Sequence, residues 1–225
     1  ILSVGGKEMV RGDLKPQDFS SKVSDAWRGE PGTSFILKVL RPQKNDSTVM
    51  EFTLTRKNIR NNPVPYYGMV HDSIGYLSLT GFTDNCSKDV KKAFIELKDK
   101  GAKALIFDLR DNGGGSLQEA VDIINFFVPK GKEIVVTKGK IRQAAGSFKT
   151  TSEPIDAAIP LAILVNGNSA SASEIMSGSM QDLDRAVIIG TRTFGKGLVQ
   201  TTRQLPYNGT LKVTTSKYYI PSGRC

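Results

Sequence analysis

The stretch AKALIFDLRDNGGGSLQEAVDIINFFV, residues 102–128, decides the class of fold. Residues 102–110 form an apolar run of strand length that ends in the glycine-rich turn DNGGG. The segment SLQEAVDIINFFV that follows has the apolar spacing of a helix. A largely buried strand that leads through a short turn into a helix is typical of a parallel sheet covered by helices.

The same order of strand and helix recurs on both sides of this stretch. IGYLSLTGF (74–82) predicts a strand, and residues 87–100 predict an amphipathic helix after it. Further along, IPLAILVNG (159–167) and RAVIIG (185–190) predict two strands with a helix between them. This alternation predicts an α/β domain, whereas residues 130–158 are less regular and receive no assignment.

The N-terminal part of the chain has a different pattern. Residues 1–57 carry two short strand patterns, SFILKVLR and VMEFTLTR, and the segment NIRNNPVPYYG then has the prolines and asparagines of a linker. We therefore predict two domains, residues 1–60 and residues 61–225. The chain opens with ILSVGGKE and has no initiator methionine, so we expect it to be a fragment of a longer protein.

Composition excludes several classes of function. The chain carries a formal charge of +9, but its basic residues are scattered and do not alternate with aromatic residues, so no nucleic-acid partner is expected. No apolar run reaches the ~18 residues of a membrane span. One histidine and two cysteines are too few for a histidine-based zinc site or a disulfide framework, and no metal or cofactor is implied.

The segment GTRTFGKGLVQ, residues 190–200, resembles a phosphate-binding loop at first sight. Such a loop needs a Ser or Thr directly after its lysine and a helix after that. Here Gly197 follows Lys196, and LVQTTRQL then has the alternation of a strand. Lys196 therefore needs another explanation.

A nucleophilic serine is one explanation for the segment SASASEIMSG, which contains Ser169, Ser171 and Ser173. The structural alternative is a capping box, in which Ser171 caps a helix and Glu174 reaches back to it. The two readings are compatible, because a serine at a helix N-terminus also faces the positive end of the helix dipole.

Lysine is the natural base for such a serine in this chain. The single histidine, His71, lies beside an apparent turn, and no G-x-S-x-G motif accompanies it. A lysine amine acts as a base only where its surroundings favour the neutral form, and the stem of Lys196 has apolar neighbours. If residues 196–200 form a strand, Lys196 and Gln200 share one face, and Gln200 either orients the amine or is solvated.

NGNSASASEIMSGSMQDLDRAVIIGTRTFGKGLVQ, residues 166–200, closely resembles the signature region of the C-terminal processing peptidases, also called tail-specific proteases. DLRDNGGG resembles the glycine turn of that family, and KYYIPSGR resembles its next strand and turn. The resemblance implies a serine endopeptidase with a crotonase/ClpP-like core and a Ser-Lys dyad. It also implies protein substrates bearing a C-terminal tail, and a location in the cell envelope or periplasm.

By motif position, the resemblance assigns the nucleophile to Ser171, the general base to Lys196 and the orienting role to Gln200. The oxyanion donors would be the main-chain N–H of Ala172 and that of Gly114 or Gly115, a choice that the sequence leaves open. Gly113 stands where many relatives have proline, and Asp182 is assigned a structural role because eleven helical residues separate it from Ser171.

Residues 1–60 resemble the C-terminal half of a PDZ domain, the module with which this family captures a substrate's tail. Two other functions remain open at this stage. One is a peptide-binding scaffold of the same fold without turnover. The other is acyl-CoA chemistry of the crotonase type, which also uses glycine-turn oxyanion sites but does not require a Ser-Lys pair.

Overall fold

The computed structural model describes residues 1–43, 47–59, 61–140 and 145–225. It divides into two compact units, Ile1–Asn61 and Asn62–Cys225. The predicted domain boundary lies near residue 60, and Arg60 itself lies outside the described residues.

The N-terminal unit is a small antiparallel sheet with one helix. Its elements are β1 (Ser3–Val4), β2 (Lys7–Glu8), α1 (Pro16–Trp27), β3 (Ser34–Pro42) and β4 (Ser47–Thr55). The strand order is β2-β1-β3-β4, and Val4, Met9, Val23 and Leu37 form the buried core. Pro16 begins the helix, where its fixed φ suits the first turn and its missing N–H costs no hydrogen bond.

The second unit contains two sheets, three α-helices and a short 3-10 helix, Pro206–Asn208, among its described residues. Its elements are β5 (Tyr66–His71), β6 (Ile74–Ser78), α2 (Cys86–Asp99), β7 (Ala104–Asp108), α3 (Leu117–Ile124), β8 (Glu133–Gly139), β9 (Gly146–Lys149), β10 (Leu161–Val165), α4 (Ala172–Asp182), β11 (Val187–Gly190), β12 (Leu198–Gln204) and β13 (Thr210–Tyr219). None of the helices in the described ranges is long and apolar enough to cross a membrane.

The first sheet has the strand order β11-β10-β7-β6-β5. Strands β6, β7, β10 and β11 are parallel, and β5 pairs with β6 in the antiparallel sense. Helices α2 and α4 join consecutive parallel strands, and α3 lies between β7 and the segment that leads to β10. The predicted alternation of strand and helix, and with it the α/β class, is confirmed.

Two neighbouring strands of this sheet position the site described below. Strands β7 and β10 run side by side in parallel, with Leu164 paired to Asp108. Their carboxyl ends therefore meet at one edge of the sheet. The glycine turn follows β7 at that edge, and the turn containing Ser171 follows β10.

The second sheet corrects the sequence analysis, which assigned nothing to residues 130–158. Strands β8 and β9 lie in this stretch. Together with β12 and β13 they form a four-stranded antiparallel sheet in the order β12-β13-β8-β9. Local periodicity did not reveal them because β8 pairs with β13, more than 70 residues later in the chain. Strand β13 is thus an interior strand, held between β12 and β8.

Aromatic and aliphatic side chains from the sheet and the helices fill the core of the second unit. Phe82, Phe94, Phe107 and Phe127 are among the largest fully buried side chains. The rings of Phe94 on α2 and Phe127 after α3 lie 5.0 Å apart between centroids, within the range of favourable aromatic pairs.

Asp156 connects the segment before β10 to helix α2. Its carboxylate accepts a short hydrogen bond from Lys98 and bonds of 2.9 Å from the N–H groups of Ala158 and Ile159. The Lys98 bond lowers the pKa of Asp156, burial opposes this shift, and the two N–H donors add to the lowering. A lowered folded-state pKa stabilises the protein above the ordinary Asp pKa of about 3.9, and that contribution is lost as the pH falls through the folded value.

We expect Asp156→Asn to lower the free energy of unfolding by about 1 to 2 kcal/mol at pH 7, because the charge-assisted bond to Lys98 is lost. The difference from the parent should shrink as the pH falls from the ordinary Asp pKa of about 3.9 through the lowered folded-state pKa, because Asp156 is then protonated in the parent. Urea unfolding at several pH values measures this, with the exposed Asp99→Asn as control. A pH-independent difference would contradict the linkage.

Candidate active site

Ser171 lies in the turn between β10 and α4 and has an unusual backbone conformation. Its φ is 57° and its ψ is −113°, outside the regions that residues with a side chain favour. Such strain persists where the surrounding structure enforces it, and it is frequent at functional sites. A serine on a strained strand-to-helix turn is also the arrangement that exposes the nucleophile in α/β-hydrolases.

The loop before Ser171 is held by buried polar groups. The hydroxyl of Ser169 donates to the Leu109 carbonyl at 2.7 Å and accepts from the Asn166 N–H at 2.9 Å. The bond to Leu109 ties the loop to the residue that follows β7. The three candidate serines therefore differ in their surroundings, since Ser169 and Ser173 are fully buried and Ser171 is half-buried.

Asn112 organises the glycine turn, and sequence reasoning missed it. The side chain is buried, donates to the Leu79 carbonyl at 2.8 Å and accepts from the Gly114 N–H at 2.9 Å. Its main-chain carbonyl accepts from the Ala170 N–H at 3.0 Å and from the Ser173 hydroxyl at 2.9 Å. One residue thus joins the glycine turn to the start of α4. The asparagine of the D-N-G turn was the only signal in the sequence.

Gly114 packs directly against the Ser171 turn. Its φ is 94°, and an added Cβ would lie 2.5 Å from the Ala170 carbonyl oxygen, 2.8 Å from Ser171 Cβ and 2.9 Å from the Ala172 nitrogen. These distances are shorter than any real Cβ contact, so only glycine fits this position. At Gly113, by contrast, nothing lies within 4 Å of an added Cβ, so the neighbouring atoms do not require glycine there.

Lys196 is held beside Ser171 by a single carboxylate. Glu174, in the first turn of α4, accepts hydrogen bonds from the N–H groups of Ser171 (2.8 Å), Gly195 (2.5 Å) and Lys196 (2.9 Å). The bond to Ser171 is the Glu174 half of the predicted capping box. Glu174 therefore links the serine turn to the segment that carries the lysine.

One cavity of about 510 Å³ brings the predicted site residues together. Its lining includes all six of them, Ser171, Ala172, Gly114, Gly115, Lys196 and Gln200. The apolar part of the wall comes from Leu117, Ile175, Leu198 and Val199. Within the described ranges, no hydrogen bond joins the side chain of Lys196 to that of Ser171 or Gln200. Catalytic hydrogen bonds are often long in an unliganded site and shorten when substrate binds.

The strand geometry expected around Lys196 is wrong. Strand β12 begins at Leu198, two residues after Lys196, and its pairing with β13 is irregular between Val199 and Gln200. Simple alternation from Lys196 to Gln200 therefore does not apply. Lys196 and Gln200 nevertheless line the same cavity.

Asp182 lies at the other end of α4 and does not line the cavity. It accepts from the Ser222 N–H at 2.9 Å and a short hydrogen bond from Arg224. Burial raises the pKa of its carboxyl, but the bonds from Ser222 and Arg224 together outweigh burial and lower it. This arrangement agrees with the predicted structural role, which ties the helix end to the turn that follows β13.

The cysteines, the histidine and the potential metal ligands of the described residues form no second reactive cluster. Cys86 and Cys225 are free thiols, and burial together with the charge of Glu119 raises the pKa of Cys86 to about 12. His71 is exposed at the end of β5. No group of three or more potential metal ligands occurs in residues 1–43, 47–59, 61–140 and 145–225.

A mixed α/β fold with such a serine turn, beside a lysine and a glycine turn, is the arrangement expected of a serine hydrolase. The family model of peptidase family S41 matches residues 73–225, and the chain belongs to this family. The resemblance seen in residues 166–200 is thereby confirmed.

Relatives of known name agree with this membership. The chain is 38% identical over 227 residues to a carboxy-terminal-processing protease of Bartonella bacilliformis, covering 99% of this chain and 50% of that protein. It is 33% identical over 214 residues to the chloroplastic C-terminal processing peptidase of Tetradesmus obliquus, covering 89% and 45%. The chain thus spans about half the length of these relatives.

A solved structure extends the likeness to the fold. The photosystem II D1 C-terminal processing protease superposes with a TM-score of 0.64 at 30% sequence identity. The match covers 100% of this chain and 59% of that one. The chain therefore has the mixed α/β fold of an S41 peptidase.

Proposed function

We propose that this protein is a serine endopeptidase that cleaves proteins near their C-terminal tails through an acyl-enzyme formed on Ser171. One observation carries the proposal. A single cavity is lined by a serine in a strained turn, by a lysine, and by main-chain groups that are suited to hold an oxyanion. The names of the relatives point to the same chemistry, since they are C-terminal processing proteases.

In the proposed mechanism, the neutral amine of Lys196 accepts the proton of the Ser171 hydroxyl as its oxygen attacks the scissile carbonyl. The tetrahedral intermediate then collapses, and Lys196 returns the proton to the leaving amine. Water repeats the sequence on the acyl-enzyme, with Lys196 first accepting a proton from water and then returning it to Ser171. Gln200 is assigned to orient the amine during these transfers.

We propose that the main-chain N–H groups of Ala172 and Gly115 donate hydrogen bonds to the oxyanion. In the described part of the chain, the Ala172 N–H has no hydrogen-bond acceptor. It begins α4, where the helix dipole also favours negative charge. The Gly114 N–H already donates to Asn112, whereas the Gly115 N–H has no acceptor within the described ranges. This difference favours Gly115 over Gly114 as the second donor.

The domains, the substrates and the location are proposed from the resemblance to the C-terminal processing peptidases. We assign residues 1–60 to the C-terminal half of a PDZ domain and residues 61–225 to a crotonase/ClpP-like protease core. The substrates are proteins or peptides with a C-terminal tail, and the assigned location is the cell envelope or periplasm. An inactive scaffold is not favoured, because every residue that the mechanism needs lines the cavity and the relatives are named as proteases.

The proposal is tested with an unstructured protein that ends in an apolar tail, incubated with the intact protein and analysed by mass spectrometry. We expect internal cleavage that releases C-terminal fragments. The matched control is the same substrate with its last residues replaced by aspartates, which should be cleaved much more slowly. Equal cleavage of both substrates would contradict tail recognition, and no cleavage of either would contradict the proposed peptidase activity.

A further inference from the structure

Tyr218 is a rigidly held side chain that the proposed mechanism does not use. It belongs to β13, the interior strand between β12 and β8. Only 4% of its surface is exposed, and its main-chain N–H donates to the Gly197 carbonyl at 3.0 Å. Its ring lines the wall of the cavity that contains Ser171 and Lys196.

The hydroxyl of Tyr218 contacts the two residues of the proposed dyad. It donates a short hydrogen bond to the main-chain carbonyl of Lys196, and it lies 3.4 Å from the main-chain carbonyl of Ser171. Burial, reinforced by the charges of Glu174 and Cys225, raises the pKa of Tyr218, so the hydroxyl keeps its proton and remains a donor.

The residues around Ser171 and Lys196 show why the contact with the Tyr218 hydroxyl affects their positions. Lys196 lies between Gly195 and Gly197, whose lack of side chains allows the segment a wide range of conformations. Glu174 holds the N–H groups of Ser171 and Lys196, and Tyr218 contacts their carbonyls. The Ser171 carbonyl also accepts from the N–H groups of Glu174 and Ile175 in the first turn of α4, at 2.8 and 2.9 Å. Tyr218 of β13 therefore ties the Lys196 carbonyl to a serine turn that α4 already holds.

We propose that Tyr218 is a positioning residue that sets the distance between Ser171 and Lys196 through their main-chain carbonyls. This inference rests on the proposed function, because it assigns a purpose to the contact only if the two residues react together. A displacement of about 1 Å in a catalytic pair costs on the order of 10²-fold in rate. The hydroxyl of Tyr218 prevents such a displacement without touching the reacting atoms.

The test is Tyr218→Phe, which removes the hydroxyl and leaves the buried ring. The matched control is Tyr219→Phe, the same change one residue along β13, since no hydrogen bond of the Tyr219 hydroxyl is present in the described ranges. We expect Tyr218→Phe to lower kcat by about 10- to 100-fold with little change in KM, and Tyr219→Phe to behave as the parent.

Single-turnover acylation separates positioning from folding. A positioning role lowers the rate constant of acylation and leaves its amplitude unchanged. A purely structural role lowers the amplitude, through loss of folded protein, and leaves the rate constant unchanged; that result would overturn the proposal. Parental kcat in Tyr218→Phe, or equal losses in the two variants, would also overturn it.

The parent and Ser171→Ala are assayed alongside. If the parent does not cleave, or if Ser171→Ala cleaves as well as the parent, the proposed function itself fails, and the role of Tyr218 fails with it. If cleavage depends on Ser171 but not on the Tyr218 hydroxyl, only the present inference is refuted.

Discussion

Replacing Lys196 by methionine is expected to reduce kcat/KM for peptide cleavage by at least about 10³-fold, close to the loss in Ser171→Ala. Methionine keeps most of the length and the apolar contacts of the lysine stem but cannot accept the serine proton. The stem lies beside apolar cavity residues, so the folded structure should be retained. Cleavage of a peptide substrate and thermal unfolding of the same samples measure both expectations.

The double variant Ser171→Ala/Lys196→Met gives a sharper test. Residues that act as a unit show strongly non-additive losses, so the double variant should be no slower than either single variant. Losses that multiply would show that the two side chains act independently. Lys217→Met is the control, because Lys217 is an exposed lysine of β13 that does not line the cavity.

Gly114→Ala is expected to lower activity by about 10²-fold or more and to destabilise the protein by about 1 to 3 kcal/mol. The new methyl group would overlap the Ala170 carbonyl, Ser171 Cβ and the Ala172 nitrogen, and the backbone has a φ of 94°. To relieve this overlap, the glycine turn and the serine turn must move apart. That movement displaces the proposed nucleophile and both proposed oxyanion donors at once.

The neighbouring glycine provides the control for this prediction. Gly113→Ala introduces the same methyl group one residue earlier, where nothing lies within 4 Å and φ is not in the left-handed region. It should retain nearly parental activity and stability. Similar losses in the two variants, measured by peptide cleavage and urea unfolding, would show that the turn responds to any substitution and that the contact of Gly114 with Ser171 is unimportant.

The glycine run alone does not reveal which N–H group of the turn is available to hold an oxyanion. The run Gly113–Gly115 predicted a turn with exposed N–H groups, but the sequence did not say which N–H is free. The answer depends on Asn112, whose amide oxygen already accepts the N–H of Gly114. The side-chain direction of Asn112 is set by the buried carbonyl of Leu79, a contact made across 33 residues of chain.

Local pattern was sufficient for the elements that build the edge of the parallel sheet. The apolar run that contains β7, the glycine turn, and the Ser171–Glu174 helix start are each encoded within about ten residues. The membership in peptidase family S41 also follows from contiguous motifs in residues 166–200. For these features the physical cause is local, because burial of a short apolar run and the conformational freedom of glycine act within one segment.

Only the tertiary structure decided the surroundings of Lys196. Strands β8, β9 and β13 form a sheet from segments far apart in the chain, and this sheet brings Tyr218 against the Lys196 carbonyl. Glu174 likewise reaches across 22 residues to the Lys196 N–H. The sequence by itself determined the α/β class and the helix start at Ser171, and it singled out Lys196 as the candidate base. The position of that lysine depends on hydrogen bonds and strand pairings between distant segments, which no local periodicity encodes.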